Sequence, residues 1–335
     1  MNILLTGGTG FIGKVLINKL LGDKNKITIL TRDNKKVDDS LKDETQVLET
    51  DICNLSALEK SEPKLKDIDV FIHLAASLDY FGDRKELFRV NVDGTLNCLK
   101  LAERVNAKRF ILISSIEAIG TVSNDNLSAD ESSTCYPVSS YGESKLEAET
   151  QAKKWAEKRK LNLTILRLGN VYGPGRPTFI LPITLDILNK GSLLRFLPVY
   201  KDRYISLVHI DDAVDAIIKS LQINKSNQTY IITGEQPVTL GKLFELIALV
   251  LKVNIDLSAK GKSRKDELYL KLRKTIHRLC KRADLLTYFI CGSGRRIHRA
   301  YSIQKARREL GYSPAVCLEK GISMTINWLK EEKLL

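Results

Sequence analysis

The sequence lacks the features of a membrane, secreted or metal-binding protein. Its runs without charged residues, such as residues 285–294, fall well short of the ~20 residues that a membrane-spanning helix needs. Six scattered cysteines form no C-x-x-C pair and only four histidines are present, so neither a disulfide framework nor a metal site is predicted. The N-terminus begins directly with the strand-like MNILLT, which predicts no secretory signal. These absences favour a protein of the reducing cytoplasm.

Composition and charge describe a nearly neutral globular body that carries one basic segment. The chain has 335 residues, of which 43% are hydrophobic and 28% charged, values that fit a soluble protein of about two domains. Its net charge is +13, but residues 260–310 hold sixteen Lys and Arg against four Asp and Glu. The rest of the chain therefore has a net charge of only +1.

Short apolar runs alternate with helical patterns through the first 170 residues, which predicts βαβ units and a parallel sheet. Strands are predicted at residues 3–6, 27–31, 46–49, 70–73, 110–114 and 163–168. Helices are predicted between them at residues 11–21, 84–105 and 142–160. After the Gly/Pro-rich VYGPGRP at residues 171–177, helical patterns dominate. The predicted fold class is α/β, a doubly wound parallel sheet followed by a smaller, mainly helical part.

A glycine-rich loop follows the first predicted strand and opens the first predicted helix. Its sequence, LTGGTGFIG at residues 5–13, places glycines at 7, 10 and 13. Gly7 allows a tight turn, Gly10 lets the backbone approach a pyrophosphate, and Gly13 lets the helix pack on the strand. Free N–H groups at the helix N-terminus favour phosphate, so the loop predicts a Rossmann-type dinucleotide site. Its predicted contacts are Gly7, Thr9, Gly10, Phe11, Ile12 and Gly13.

The end of the second predicted strand indicates which dinucleotide binds. A NAD site has a carboxylate there for the ribose hydroxyls, but this sequence has Thr31 followed by Arg32, which can pair with a 2′-phosphate. NADP is therefore predicted, and NAD remains the alternative in which Asp33 reaches the ribose. An aspartate after the third strand is expected to accept from the adenine amino group, and small residues after the fourth leave room for the cofactor. These further predicted contacts are Asp51, Ile52, Leu74, Ala75 and Ala76.

Tyr141 and Lys145 form the chemical centre of the predicted site. Four residues apart on a predicted helix, they share one face, where the ammonium is expected to lower the pKa of the phenol and make it a general acid or base. Lys145 can also hold the nicotinamide ribose. Ser114 and Ser115 end the fifth predicted strand, at the sheet edge where ligands bind, and a hydroxyl there can hydrogen-bond a substrate carbonyl or alcohol.

These motifs, in this order, resemble those of the extended short-chain dehydrogenases/reductases, also labelled the NAD-dependent epimerase/dehydratase family. The resemblance covers nearly the whole chain and implies an enzyme. It rests on the glycine loop, Asp51-Ile52, HLAA at 73–76, NVDGT at 91–95, Ser114-Ser115, YGESK at 141–145, LRLGNVYGPG at 166–175, VHIDD at 208–212 and ARRELGYSP at 306–314. Residues 1–172 and about 204–232 are expected to form the NAD(P)-binding Rossmann domain. Residues 173–203 and 233–335 are expected to form the substrate-binding domain.

Carried over by position, the resemblance implies a catalytic triad of Ser115, Tyr141 and Lys145. The choice of Ser115 rather than Ser114 comes from aligning residues 117–120, EAIG, with the family's corresponding segment. The resemblance also implies that Asn91 supports the active-site geometry and contacts the cofactor. It implies that residues 168–170 line the nicotinamide and substrate side, with Leu168 at the cofactor and Asn170 at the substrate.

Three further ionisable residues are expected to be structural. His209 could act as an acid or base, but the resemblance implies a mostly structural position that leads into the helix starting at Asp211-Asp212. Asp211 or Asp212 is expected to cap that helix rather than act as a catalytic acid.

Departures from the family's patterns favour one branch. The dehydratases have an Asp-Glu pair where this chain has Ile116 and Glu117, so dehydration is not expected. Arg203 lies six residues before His209, unlike the arginine by which sugar-nucleotide enzymes grip a diphosphate. The stretch 113–120 looks most like the hydroxysteroid dehydrogenase and dihydroflavonol reductase-like branches. We therefore expect an NADP-dependent oxidoreductase acting on an alcohol and a ketone or aldehyde. The alternatives are an NAD-dependent sugar-nucleotide epimerase and a non-catalytic dinucleotide sensor.

The basic segment contains one predicted amphipathic helix. Apolar residues recur every three or four positions from Leu268 to Ile290, with cations off that stripe. The helix is expected to pack on the core or, alternatively, to lie on an anionic membrane through residues 265–299. Nucleic acid is not expected as a partner, because few aromatic side chains are there to stack bases. A second copy of the chain is retained as a candidate partner beside the small-molecule substrate.

Overall fold

Seven parallel strands form one sheet at the centre of the fold. This computed structural model describes residues 1–79, 83–120, 128–189, 201–223, 225–256 and 300–335. The strands of the sheet are β1 (Asn2–Thr6), β2 (Lys26–Thr31), β3 (Gln46–Glu49), β4 (Val70–His73), β5 (Arg109–Ser115), β6 (Asn162–Leu168) and β10 (Gln228–Ile232). Their order is β10-β6-β5-β4-β1-β2-β3, and every neighbouring pair is parallel. The prediction of a doubly wound parallel sheet is confirmed.

Helices cover both faces of the sheet. Leu4 joins one apolar cluster and its neighbours Ile3 and Leu5 join another, as alternation along a strand requires. The cluster of Ile3 and Leu5 includes α1 (Phe11–Gly22), α8 (Ile210–Ser220) and α10 (Gln304–Leu310). The cluster of Leu4 includes α3 (Leu55–Glu59), α5 (Gly94–Arg104) and α6 (Ser140–Arg159). Burial on both faces explains why these strands read as continuous Val/Ile/Leu runs.

A third apolar cluster lies in the later, mainly helical part. It joins α7 (Ile180–Leu188), α9 (Leu240–Leu251) and α11 (Leu318–Glu331) to short strands. These are β7 (Asn170–Tyr172), parallel to β9 (Leu207–His209), and β8 (Tyr204–Ile205), antiparallel to β11 (Val238–Thr239). The helix predicted within 265–290 lies outside the described residues. No helix in the described ranges is long and apolar enough to span a membrane.

The single helix predicted for residues 84–105 is divided into three pieces. α4 (Arg84–Phe88) leads into a π-helical turn, Arg89–Asp93, which is followed by α5. Such turns insert an extra residue into a helix and change the direction of its side chains. Here the turn carries Asn91 into the interior. The remaining described helix is α2 (Asp39–Glu44).

Candidate functional site

A cavity of about 730 Å³ opens at the carboxyl ends of β1, β2, β4, β5 and β6. The strand order reverses between β1 and β4, which is where doubly wound sheets bind their ligands. The predicted site residues that line this cavity are Gly7, Thr9, Gly10, Phe11, Ile12, Gly13, Arg32, Asp51, Ile52, Leu74, Ala75, Ala76, Ser115, Tyr141, Lys145, Leu168 and Asn170. The fold therefore collects residues that are up to about 160 positions apart in the sequence around one space.

The glycine loop forms a cradle that side chains would obstruct. Gly7 has a φ of 74°, and a Cβ atom on it would lie 2.7 Å from the backbone nitrogen of Ala75. A Cβ atom on Gly13 would overlap the Gly7 carbonyl oxygen, so α1 packs directly against the loop. Gly10 provides no side-chain cap, which leaves the first N–H groups of α1 available beside the cavity. This arrangement fits the pyrophosphate of a dinucleotide.

A buried hydrogen-bonded chain fixes β1 against β4 next to this loop. Nδ1 of His73 lies 2.7 Å from the Thr6 hydroxyl, and Nε2 lies 3.0 Å from the Thr95 hydroxyl. Thr95 donates to the Asn91 carbonyl oxygen, and the Ala75 N–H donates to Thr6, so we assign the ring proton to Nε2. Burial lowers the pKa of His73 to about 3. The ring is therefore neutral and structural.

The end of β2 presents a cation to the cavity and keeps its carboxylate in local contacts. Arg32 is exposed and lines the cavity, as do Asp33 and Lys36. The Asp33 carboxylate accepts a hydrogen bond of 3.0 Å from the Lys35 N–H and thereby caps a short 3₁₀ turn. It also lies 3.9 Å from the Lys36 ammonium. The guanidinium and the carboxylate thus both lie at the cavity wall, and the carboxylate is held within its own turn.

The three residues of the predicted triad meet at the end of β5 and the start of α6. Tyr141 and Lys145 are buried, and Ser115 is half-buried. The Tyr141 hydroxyl shares a hydrogen bond with Ser115. The Lys145 ammonium donates a hydrogen bond of 2.7 Å to the Ile113 carbonyl oxygen. The phenol, the hydroxyl and the ammonium are thus placed along one wall of the cavity.

The pKa of the phenol differs from the sequence-based expectation. Burial is the main cause that raises the pKa of Tyr141; the nearby Glu117 charge raises it further, and the hydrogen bond with Ser115 opposes both. Burial also lowers the pKa of Lys145 to about 8, although the Glu149 charge opposes this shift. The expected lowering of the Tyr141 pKa is therefore wrong for this arrangement. A buried phenol is protonated at neutral pH and suited to donate a proton.

Asn91, predicted as a cofactor contact and as a support of the active-site geometry, is not among the described residues that line the cavity. Its amide nitrogen donates to the Ser77 carbonyl oxygen at 3.1 Å and to the Ser144 hydroxyl at 2.9 Å. Its amide oxygen accepts from the Ser77 N–H at 2.8 Å. Asn91 thereby joins the segment after β4 to α6, next to Tyr141. Because the π-helical turn directs this side chain inward, spacing in the sequence could not indicate its partners.

His209 takes the capping position that the sequence assigned to an aspartate. Its Nδ1 accepts a hydrogen bond of 3.3 Å from the Asp211 N–H at the start of α8, and burial lowers its pKa. Asp212 instead accepts hydrogen bonds from the Ala315 and Val316 N–H groups, at 2.8 and 3.3 Å. The expected structural role of His209 agrees with this geometry. The expected capping role of the aspartates is wrong, because Asp212 binds the C-terminal segment.

The far end of the cavity is lined by residues that the sequence did not single out. The segment before and within α7 supplies Arg176, Thr178, Phe179 and Pro182. Arg176 lies within the Gly/Pro break, which the sequence indicated only as a domain transition, and the other three follow it. Cys53 also lines the cavity, and burial beside Asp51 raises the pKa of its thiol to about 11. Among the described lining residues neither Ile116 nor Glu117 occurs.

Comparison with known proteins places the chain among nicotinamide-dependent enzymes. A family model described as the NAD dependent epimerase/dehydratase family matches residues 3–233. A UDP-glucose 4-epimerase of Vibrio cholerae is 30% identical over 257 residues, covering 75% of this chain and 76% of the relative. A decarboxylating sterol-4-alpha-carboxylate 3-dehydrogenase of Candida albicans is 25% identical over 366 residues, covering 99% and 98%.

Solved structures share the fold over the whole chain. The UDP-glucose 4-epimerase of Thermotoga maritima, solved with UDP-glucose, has a TM-score of 0.77 at 21% identity and covers 99% of this chain and 100% of its own. The dTDP-glucose 4,6-dehydratase of Bacillus anthracis, solved with NAD, has a TM-score of 0.75 at 22% identity and covers 100% and 98%. These similarities extend the fold assignment to the C-terminal helical part.

Proposed function

The chain belongs to the NAD-dependent epimerase/dehydratase family, and on that basis we propose that it transfers hydride between a nicotinamide dinucleotide and an alcohol–ketone pair, with Tyr141 moving the proton. It is an enzyme of the extended short-chain dehydrogenase/reductase type. One observation carries the specific proposal. A single cavity joins the open N-terminus of α1 to Ser115, Tyr141 and Lys145. Both the dinucleotide and the proton-transfer group therefore have a place in it.

The residues of the N-terminal half would hold the dinucleotide. The glycine loop and the first turn of α1 supply N–H groups for the pyrophosphate, and Asp51 and Ile52 bound the adenine end. Lys145 lies on the same wall as Tyr141 and is placed to hold the nicotinamide ribose. When bound, the nicotinamide supplies or accepts the hydride. All other steps belong to side chains of this chain.

The triad residues have distinct roles in carbonyl reduction. Ser115 donates a hydrogen bond to the substrate carbonyl oxygen and orients it. Tyr141 then gives its proton to the same oxygen as the alkoxide develops, and the raised pKa keeps that proton available at neutral pH. Lys145 stabilises the phenolate that remains. In alcohol oxidation the proton travels in the opposite direction.

The substrate end of the cavity supports an apolar ring alcohol or ketone. Leu78, Phe179 and Pro182 give it apolar walls, and Asn170 donates its amide to the Ser206 carbonyl oxygen. The Candida albicans relative acts, by its name, on a sterol carboxylate. Burial of a ring system against such walls provides binding free energy, and Arg176 and Thr178 stand beside them for a polar group of the substrate.

NADP(H) is the proposed cofactor within the nicotinamide class. The support is Arg32 on the cavity wall, Lys36 beside it, and an Asp33 carboxylate engaged in its own turn. The family description and the NAD-bound Bacillus anthracis structure favour NAD. The ratio of the affinities for NADP(H) and NAD(H) therefore distinguishes the two assignments.

Replacing Tyr141 by Phe tests the proposed chemistry directly. The variant retains the ring but lacks the transferable proton, so we expect turnover to fall at least about 10²-fold while NADP(H) affinity stays unchanged. Turnover is followed by nicotinamide absorbance with a panel of cyclic ketones and alcohols. Tyr136→Phe, which makes the same change at an exposed position, is the matched control. Near wild-type turnover by Tyr141→Phe would remove the phenol from the mechanism.

A sugar-nucleotide epimerase is the second candidate, favoured by the Vibrio cholerae relative at 30% identity. Epimerisation of UDP-glucose would leave no net change in nicotinamide absorbance and would accompany tightly bound NAD. Analysis of the nucleotide that copurifies, and of UDP-sugar products, separates the candidates. A dinucleotide that binds without any turnover would indicate a sensor.

Residues 265–299 support a proposal of peripheral association with anionic membranes, based on their sequence pattern alone. Their structure lies outside the described residues. Self-association into a homodimer likewise remains a prediction.

A further inference from the structure

A buried ion pair lies directly behind the proposed catalytic wall. The Glu149 carboxylate, 1% exposed, accepts hydrogen bonds from the Arg167 guanidinium at 2.7 Å (Nη2) and 3.0 Å (Nε). It also accepts a hydrogen bond of 2.5 Å from the Ser114 hydroxyl. Neither Glu149 nor Arg167 is among the described residues that line the cavity. One carboxylate thus connects α6, β5 and β6 without touching the ligand space.

Glu149 is also linked to the proposed catalytic residues through α6 and the end of β5. It follows Lys145 by one helical turn on the same face of α6. Lys145 donates to the carbonyl oxygen of Ile113, and Glu149 accepts from Ser114, the next residue along β5. Ser115 follows immediately. The ammonium and the carboxylate therefore hold consecutive residues at the end of the strand that presents the proposed catalytic hydroxyl.

The charges around Lys145 leave Glu149 as its stabilising partner. On α6 the groups that face Lys145 are Tyr141, which is protonated at neutral pH, and Glu149. His73 faces it from β4 and is neutral, and Arg167 lies on β6 beyond the carboxylate. Glu117, in the turn after β5, acts on Tyr141. Burial favours the neutral amine, and the negative charge of Glu149 opposes that tendency.

A buried ion pair contributes little net stability, because both charged groups lose their hydration when they are buried. Apolar residues of similar volume often stabilise a core equally well or better. An ion pair retained one turn from the proposed catalytic lysine is therefore better explained by an electrostatic task.

We propose that Glu149, held by Arg167, is a positioning residue that keeps the Lys145 ammonium charged and fixes the end of β5 at Ser115. The inference rests on the proposed function, in which charged Lys145 holds the nicotinamide ribose. It assigns no contact with substrate or cofactor to Glu149 itself. Its observable consequence is the pH at which dinucleotide affinity is lost.

The test measures the dissociation constant of NADP(H) and of NAD(H) by calorimetry between about pH 6 and 10. In the wild type, affinity is expected to fall as Lys145 loses its proton, with a midpoint near its pKa of about 8. In Glu149→Gln the midpoint is expected at least about one pH unit lower, because the charge that favours the ammonium is gone. Glu149→Asp keeps the charge and is expected to retain most of the wild-type midpoint.

Glu147→Gln is the matched control, since it removes a carboxylate from a half-buried position of the same helix that bonds Gln151. Because Glu149→Gln leaves Arg167 buried with no anion, the double variant Glu149→Gln/Arg167→Met guards against failure to fold. Its midpoint is expected below that of the wild type but above that of Glu149→Gln, because the variant loses the carboxylate and also the more distant cation that repels the ammonium. An unchanged midpoint in a folded double variant would overturn the proposal and leave the pair merely structural.

The binding readout separates this inference from the proposed chemistry. A wild type that binds dinucleotide with the expected pH dependence but reduces no ketone would contradict the proposed reaction and still support Glu149. A wild-type affinity that does not change across this pH range would contradict the role of Lys145 on which the inference depends.

Discussion

Arg32 lies at the end of β2, exposed and on the wall of the cavity. A charge-assisted hydrogen bond to a 2′-phosphate contributes about 1.5–3 kcal/mol, which corresponds to roughly 10- to 150-fold in affinity. We therefore predict that Arg32→Ala weakens NADP(H) binding by that factor and leaves NAD(H) binding unchanged. Calorimetric titration of both cofactors measures the ratio.

The control for this cofactor prediction is Lys35→Ala, which removes a neighbouring exposed cation outside the described cavity lining. This variant is expected to change the affinity for either cofactor by no more than about twofold, because solvent and salt screen an exposed charge that does not line the cavity. Equal affinities of the wild type for NAD(H) and NADP(H) would contradict the assignment of Arg32.

Which residues could be recognised from the sequence depended on how local their geometry is. The glycine spacing and the Tyr141–Lys145 pair follow from the geometry of one turn and one helix, and the structure brings both to the cavity. Asn91 and Glu149 act through partners 14 and 35 positions away, so their contacts required the tertiary structure. The pKa of Tyr141 was predicted with the wrong sign because burial cannot be read from a spacing of four residues.

At the scale of elements, periodicity predicted the strands well and the helix interruptions poorly. β3 and β4 have the predicted bounds, β1, β2 and β6 begin one residue earlier than predicted, and β5 is one residue longer at each end. The positions of these strands are easy to assign, because a strand covered by helices on both faces is a continuous apolar run. The π-helical turn within 84–105 could not be seen, because one inserted residue leaves the apolar pattern on either side intact.

The start of α8 is a joint between two parts of the chain. Asp212 binds the N–H groups of Ala315 and Val316. We predict that Asp212→Ala lowers the free energy of unfolding by about 1.5–3 kcal/mol, because two part-buried hydrogen bonds lose their buried, charged acceptor. Urea unfolding followed by circular dichroism measures the change.

Asp215→Ala is the matched control for this element. Asp215 lies on the same helix, partly exposed, and pairs with Lys219 at 2.9 Å. Loss of such a surface pair is expected to cost only about 0.3–0.5 kcal/mol. If both variants lose the same stability, Asp212 has no special role in holding the C-terminal segment.

For the molecule as a whole, the described fold does not account for the excess positive charge of the chain. The described surface pairs many of its cations with carboxylates, as in Lys14–Asp38, Arg104–Glu59 and Lys108–Asp69. The excess positive charge instead belongs to residues 260–310. The core, the sheet and the cavity were predictable because they follow from apolar patterning and glycine spacing. Neither property predicts whether the basic segment packs on the protein core or binds an anionic membrane.

If this segment lies on membranes, its cations and its apolar stripe should act together. We predict that the protein cosediments with vesicles rich in anionic lipid at low salt and is released at high salt, since each nearby cation contributes ~1 kcal/mol that salt screens. Replacing Lys271, Lys274 and Arg278 by Gln should weaken binding by about 100-fold, as the loss of about 3 kcal/mol implies. Replacing three exposed lysines of the body, Lys24, Lys66 and Lys333, should change it little. Absence of wild-type protein from the pellet at low salt would leave the segment without a membrane role.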